Sequence, residues 1–186
     1  MSGLISTGTL QARLGEPALA VLDVRSGGNS RALFEAAHIA GARHTDYAAD
    51  GWRARIGNAP GLLPGPAHLS ALFSRLGLTP EQDIVVVPAG AGVSELAAAA
   101  RIYWTLKVSG LRPLAILDGG MAAWLAEGRP TESGAATVEP SGLSVTAPSA
   151  ALRADSNAVE AALARGETLV DARAPSYFAG LEKAPE

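Results

Sequence analysis

Ile84-Val85-Val86-Val87-Pro88, then Ala89-Gly90-Ala91-Gly92-Val93-Ser94, then a run from Glu95 to Val108, is the stretch that decides the fold. Four consecutive β-branched apolar residues suit a strand covered on both faces, and Pro88 closes it. In the run that follows, Leu96, Ala99, Ala100, Tyr103 and Leu106 recur at helical spacing and predict its inward stripe, with Gly110 as the stop. A buried strand, a small-residue loop and a helix in that order is the unit of a parallel sheet.

The same alternation extends in both directions. Leu19-Ala20-Val21-Leu22-Asp23-Val24 is a second predicted strand, Leu114-Ala115-Ile116-Leu117 a third and Thr168-Leu169-Val170 a fourth. Pro66 to Leu76 predicts a helix with proline in its first turn and Gly77 after its end. Met121 to Glu127 predicts a short one, stopped by Gly128 and Pro130. Residues 44–63, rich in Gly, Ala and Asp, are expected to be irregular. The predicted fold is α/β, a mostly parallel central sheet with helices on both faces.

From Thr131 to Pro148 the composition shifts to Ser, Thr, Gly, Pro and Ala, which predicts a surface linker over 131–148. Beyond it, Asp155 or Ser156 can cap a helix running to Arg165, and the opening pattern of the chain recurs. Val21-Leu22-Asp23-Val24-Arg25 is matched by Leu169-Val170-Asp171-Ala172-Arg173, and Phe34 by Phe178. The expected organisation is a full domain over 1–130 and the incomplete start of a second copy over 149–186. About forty residues are too few to close a second core, so the rest of that copy is expected to be missing from these residues or supplied by another chain.

The 186 residues carry a net charge of -3 with mixed signs, 48% hydrophobic, 18% charged and no cysteine. This balance gives no reason to expect nucleic acid or an anionic membrane as partner, and no apolar run approaches the ~20 residues of a membrane span. Without a basic, apolar leader the chain is expected to be cytoplasmic. The missing cysteine excludes disulfides, thiolate metal sites and cysteine nucleophiles, and His38, His44 and His68 lack zinc-ligand spacing. No metal or cofactor is expected.

The loop Ala89, Gly90, Ala91, Gly92, Val93, Ser94 is the candidate site. Small residues let several N–H groups turn toward one point, where the helix start adds partial positive charge. An anion cradle and a tight turn needing glycine for geometry alone are both open. A dinucleotide fingerprint would need Gly or Ala where Glu95 stands. A hydrolase elbow with Ser94 as nucleophile would need Gly where Leu96 stands. A Walker loop would need Gly-Lys-Ser/Thr. Elsewhere, Asp23 and Arg25 are expected to form a buried ion pair, with Asp171 and Arg173 repeating it. His38 should bond turn backbone, and Trp104 and Trp124 should pack in the core or against another domain. Arg101 should be solvated, and Gly119 and Gly120 should serve turn geometry.

Several of these segments together resemble one family, the tandem rhodanese-like sulfurtransferases that act on thiosulfate or 3-mercaptopyruvate. Leu22-Asp23-Val24-Arg25 resembles its Asp-x-Arg strand end. Residues 34–42, Phe-Glu-Ala-Ala-His-Ile-Ala-Gly-Ala, are similar to its Gly-His-Ile-Pro-Gly-Ala turn, with Ala37 and Ala40 replacing Gly and Pro. Leu117-Asp118-Gly119-Gly120 with Trp124 and Gly128 resembles its Asp-Gly-Gly segment, and residues 100–106 its helix after the active loop. The resemblance implies a rhodanese-like fold and a small-molecule sulfur donor and acceptor. In that family a loop cysteine becomes a persulfide, and its place here falls on Ala89, so the resemblance implies a catalytically inactive domain. The nucleophile would then belong to the missing second domain. Tyr177 stands where the family often has a substrate-binding arginine, which leaves the donor open. A non-catalytic rhodanese-like binding or scaffold module is the alternative, and a Ser94 hydrolase a third.

Overall fold

The computed structural model describes residues 3–90 and 92–183. Its first unit, ending at Ser149, is built on a five-stranded sheet. In chain order the elements are β1 (Leu4–Ile5), α1 (Thr7–Arg13), β2 (Leu19–Arg25), α2 (Ser30–Ala36), β3 (Arg43–Asp46), β4 (Ala54–Ile56) and β5 (Ala59–Leu62). They continue with α3 (Pro66–Arg75), β6 (Asp83–Pro88), α4 (Val93–Val108), β7 (Arg112–Leu117) and α5 (Gly120–Ala126). The strand order is β1-β7-β6-β2-β3 and every pair is parallel. The α/β fold expected from the apolar runs is therefore present.

Strand periodicity sorts the interior into two cores. On one face Ala20, Leu22, Val24, Ile84 and Val86 pack with Leu69 and Phe73 of α3 and Ile102 and Leu106 of α4. On the other, Val21, Val85, Val87, Ala115 and Leu117 pack with Leu10 of α1, Phe34 of α2, and Met121 and Trp124 of α5. Trp52, Trp124 and Phe34 are completely buried, with Trp52 Nε1 donating to Thr45 Oγ1 at 2.8 Å and Trp124 Nε1 to the Pro130 carbonyl at 2.9 Å. A polar tip that is bonded inside removes the cost of burying an indole.

Several expectations need correction. Residues 44–63 are not irregular: β3 pairs with β2 at the sheet edge, and β4 and β5 form an antiparallel hairpin. The inward stripe of α4 is Ala98, Ala99, Ile102, Thr105, Leu106 and Val108, while Leu96 is 45% exposed. The buried stripe is rotated from the expected one: Ala100 is exposed and Tyr103 only half-buried, while Ala98, Ile102 and Thr105 face inward. Of the two tryptophans expected in the core or against another domain, Trp124 is in the core, and Trp104 is half-buried beneath the Arg101 guanidinium (4.7 Å to the ring centroid). Arg101 is not merely solvated, since its Nη2 donates to the Gly61 carbonyl at 2.9 Å and ties the hairpin to α4.

The segment after Pro130 is bound to the first unit rather than trailing over it. The Glu132 and His38 backbones exchange hydrogen bonds of 2.8 and 2.9 Å, and Gly134 N–H donates to the Glu35 carbonyl at 2.7 Å. Farther on, Val145 is buried in the α3/α4 core, its N–H donating to Ser70 Oγ at 2.9 Å, and Ser149 N–H reaches the Val108 carbonyl at 2.7 Å. Composition suggested a linker because it records few apolar side chains, whereas this strap is held mainly by backbone bonds.

The second unit, residues 150–186, contains α6 (Ser156–Ala164), capped by the Asp155 carboxylate on the Ala158 N–H at 2.9 Å, and α7 (Pro175–Phe178). Thr168-Leu169-Val170 is not a strand. A strand needs a neighbour for its N–H and C=O groups, and none pairs with it among the described residues. The repeat's side chains nevertheless echo the first copy: Arg173 Nε lies 2.9 Å and Nη2 2.5 Å from the Asp171 carboxylate. That bond holds the Asp171 carboxyl down to about 2.

Candidate functional site

Register brings the site together. β2 and β6 pair with Val24 opposite Pro88, and β2 and β3 pair with Arg25 opposite Asp46. The carboxyl ends of the three strands therefore form one rim, which is where open α/β sheets bind ligands. A cavity of about 520 Å3 opens there, lined by Arg25, Leu33, Tyr47, Ala89, Ser94 and Glu95 among others.

Of the predicted loop, Ala89 and Ser94 reach this cavity, and Gly90 is half-buried behind it. Gly92 is the N-cap of α4 and Val93 its first residue, 84% exposed. Ala91 lies outside the described residues. The loop is fixed from behind by α5: Ala122 N–H donates to the Ala89 carbonyl at 3.0 Å. Gly120, at φ +60°, lies so close that a Cβ there would sit 2.4 Å from the Pro88 carbonyl oxygen. Turn geometry alone thus understates Gly120, because it also makes room for the loop.

Arg25 and Asp23 form the expected buried pair. Nε donates to Asp23 Oδ1 at 2.7 Å, and Nη2 to Asp23 Oδ2 at 2.9 Å and to the Ala37 carbonyl at 2.8 Å. Arg25 is 9% exposed and Asp23 1%. His38 behaves as expected, its Nδ1 lying 2.9 Å from the Phe34 carbonyl and its ring stacked on Phe34 at 4.0 Å.

Sequence reasoning missed two features. Tyr47, which has the Arg53 guanidinium 4.8 Å from its ring centroid, supplies an aromatic wall from a segment expected to be irregular. Glu95 matters more. No side chain caps the start of α4, yet the Glu95 carboxylate folds back over it, its Oε2 only 2.1 Å from where a Cβ on Gly92 would stand. Glycine at 92 is what lets this carboxylate lie there. The helix start thus carries the chain's own negative charge, placed where helix ends favour it. An acidic residue at the third helical position was the available sequence signal.

Chemically the rim offers an arginine already engaged, hydroxyls of Tyr47 and Ser94, a carboxylate, and a methyl group at Ala89. It offers no soft nucleophile. Ser94 has no histidine among the cavity-lining residues to act as its base, so an elbow-type hydrolase lacks its partner. Among the described residues no group of His, Asp and Glu is arranged to hold a metal ion, and no helix is long and apolar enough to cross a membrane.

A parallel α/β domain with a glycine loop on its carboxyl rim defines the class. A model of the rhodanese-like domain matches residues 6–127, and the chain belongs to that family. A thiosulfate sulfurtransferase of Azotobacter vinelandii is 39% identical over 129 residues, covering 68% of this chain and 43% of the relative. A probable 3-mercaptopyruvate sulfurtransferase of Pseudomonas aeruginosa is 34% identical over 187 residues, covering 95% of this chain and 63% of the relative. Among solved structures, the Tum1 protein of Saccharomyces cerevisiae matches with a TM-score of 0.75 at 19% identity, covering 98% of this chain and 64% of that one. SseA of Escherichia coli, described as a 3-mercaptopyruvate sulfotransferase, matches at 0.69 and 21%, covering 80% and 58%. These two likenesses are of fold. The chain spans less than two thirds of the length of each of these relatives.

Proposed function

We propose that this chain is the catalytically silent first domain of a two-domain sulfurtransferase, together with the opening of the second. The complete protein would move a sulfane sulfur from thiosulfate or 3-mercaptopyruvate to a thiophilic acceptor, through a cysteine persulfide on the second domain's loop. The observation that carries this reading is Ala89, a methyl group at the loop position where the family resemblance places the cysteine. Glu95 folded over the helix start supports it, since a carboxylate there disfavours a thiolate and repels an anionic donor. The Asp–Arg fork repeated at Asp171 and Arg173 supports a second copy.

The purified 186-residue chain should then show no thiosulfate:cyanide or mercaptopyruvate sulfurtransferase activity, while the longer gene product carrying a second loop cysteine should. Turnover by the 186-residue chain above a heat-denatured control would overturn the reading. A non-catalytic binding module is the second reading, favoured by the same vacant loop. A gene that encodes no cysteine-bearing loop downstream of Glu186 would select it.

A further inference from the structure

A separate cavity of about 200 Å3 lies among the start of α2, β3, the end of α3 and the strap. It is lined by Arg31, His44, Asp50 and Arg75 and closed by Ala136 and Val138. It shares none of these residues with the loop cavity. Its polar groups are unequally matched. Asp50 is engaged within the fold: Oδ2 accepts from Thr45 Oγ1 at 2.8 Å and from the Asp46 N–H at 2.9 Å, and Oδ1 lies 3.3 Å from Arg75 Nη1. Arg75 keeps 58% of its side chain exposed. Arg31 has no hydrogen-bond or ion-pair partner among the described residues. His44 Nε2 is buried without a hydrogen-bond partner.

Two guanidiniums against one satisfied carboxylate leave an excess positive charge around a volume of roughly six waters. Guanidinium groups match oxyanions in pairs of hydrogen bonds. We propose that this cavity is a second ligand site, for a small free oxyanion of the sulfate, phosphate or carboxylate class, held between Arg31 and Arg75 beside His44. The proposal stands independently of the sulfur-transfer reading. His44 is its reporter. Burial first, and then the Arg31 charge, hold the imidazole below its ordinary 6.5, against Asp23, Asp50 and Asp46, which act the other way. Phe34 is the aromatic neighbour, 5.3 Å between centroids. An anion on Arg31 cancels the repulsion, so binding should raise the pKa of His44.

The test is a titration of the 186-residue chain with inorganic phosphate and, separately, sodium sulfate against sodium chloride at constant ionic strength. Imidazole NMR, with His44 assigned through H44Q, is the readout. The expected result is a saturable rise in the His44 pKa, weakened at least about tenfold in affinity by R31Q. Arg31 has no partner in the fold to lose, so R31Q should leave thermal stability unchanged. R112A, which alters only an exposed pair with Asp83, should bind as the parent does. Absence of a saturable shift, or the same affinity in R31Q, overturns the proposal.

Discussion

Replacing Arg25 with Met should show whether this residue is a structural strut or a ligand-binding group. In the fold it makes three charge-assisted bonds, two to a carboxylate that is 1% exposed and one to the Ala37 carbonyl. R25M leaves Asp23 charged, desolvated and unpaired. Loss of one partner of a buried pair costs about 3–5 kcal/mol, against about 0–1 kcal/mol for a surface pair. For a domain of this size that is a fall in Tm of roughly 6–20 °C. Urea and thermal unfolding followed by tryptophan fluorescence would report it, since Trp52 and Trp124 are fully buried. The double variant D23L/R25M should recover most of the loss, because an apolar pair of similar volume can replace a buried ion pair. A cost below about 1 kcal/mol for R25M, or a double variant worse than the single, would refute the strut.

Other perturbations follow from the same contacts. A89C introduces the chain's only thiol, and its thiolate should form more readily when Glu95 is neutralised. The pKa from the pH dependence of alkylation should be lower by about one unit in A89C/E95Q than in A89C, and equal values would remove Glu95 from the loop's electrostatics. Although burial opposes it, the Asp46 carboxyl is held below its ordinary 3.8 by Ser30 Oγ and by the Ala49 and Ala48 N–H groups. With a lowered folded value, its contribution is full above pH 3.8 and is lost as the pH falls through the folded value. D46N should therefore destabilise at neutral pH, and the gap to the parent should narrow in acid. Deleting residues 131–186 should lower the Tm of the first unit below that of a chain ending at Ser149. That deletion removes the buried Val145 and several backbone bonds, and an unchanged Tm would mean the strap contributes nothing.

The sequence by itself determined the sheet's central strands, the glycine loop and the lack of a cysteine in it. Ile84 to Val87 is β-branched throughout, Gly119 and Gly120 hold φ of +71° and +60°, and no cysteine is present; each is a local property that any environment must respect. Tertiary structure decided what depends on a neighbour. Leu4–Ile5 is a strand only because it lies against β7, and the polar Arg43–Asp46 only because β2 is beside it. The reverse case is Thr168-Leu169-Val170, apolar enough for a strand yet unpaired among the described residues. The strap's attachment, the true inner face of α4 and the fold-back of Glu95 over Gly92 were likewise beyond composition and period. Backbone hydrogen bonds and burial join residues far apart in the chain, and a linear pattern records only what each residue prefers before its partners arrive.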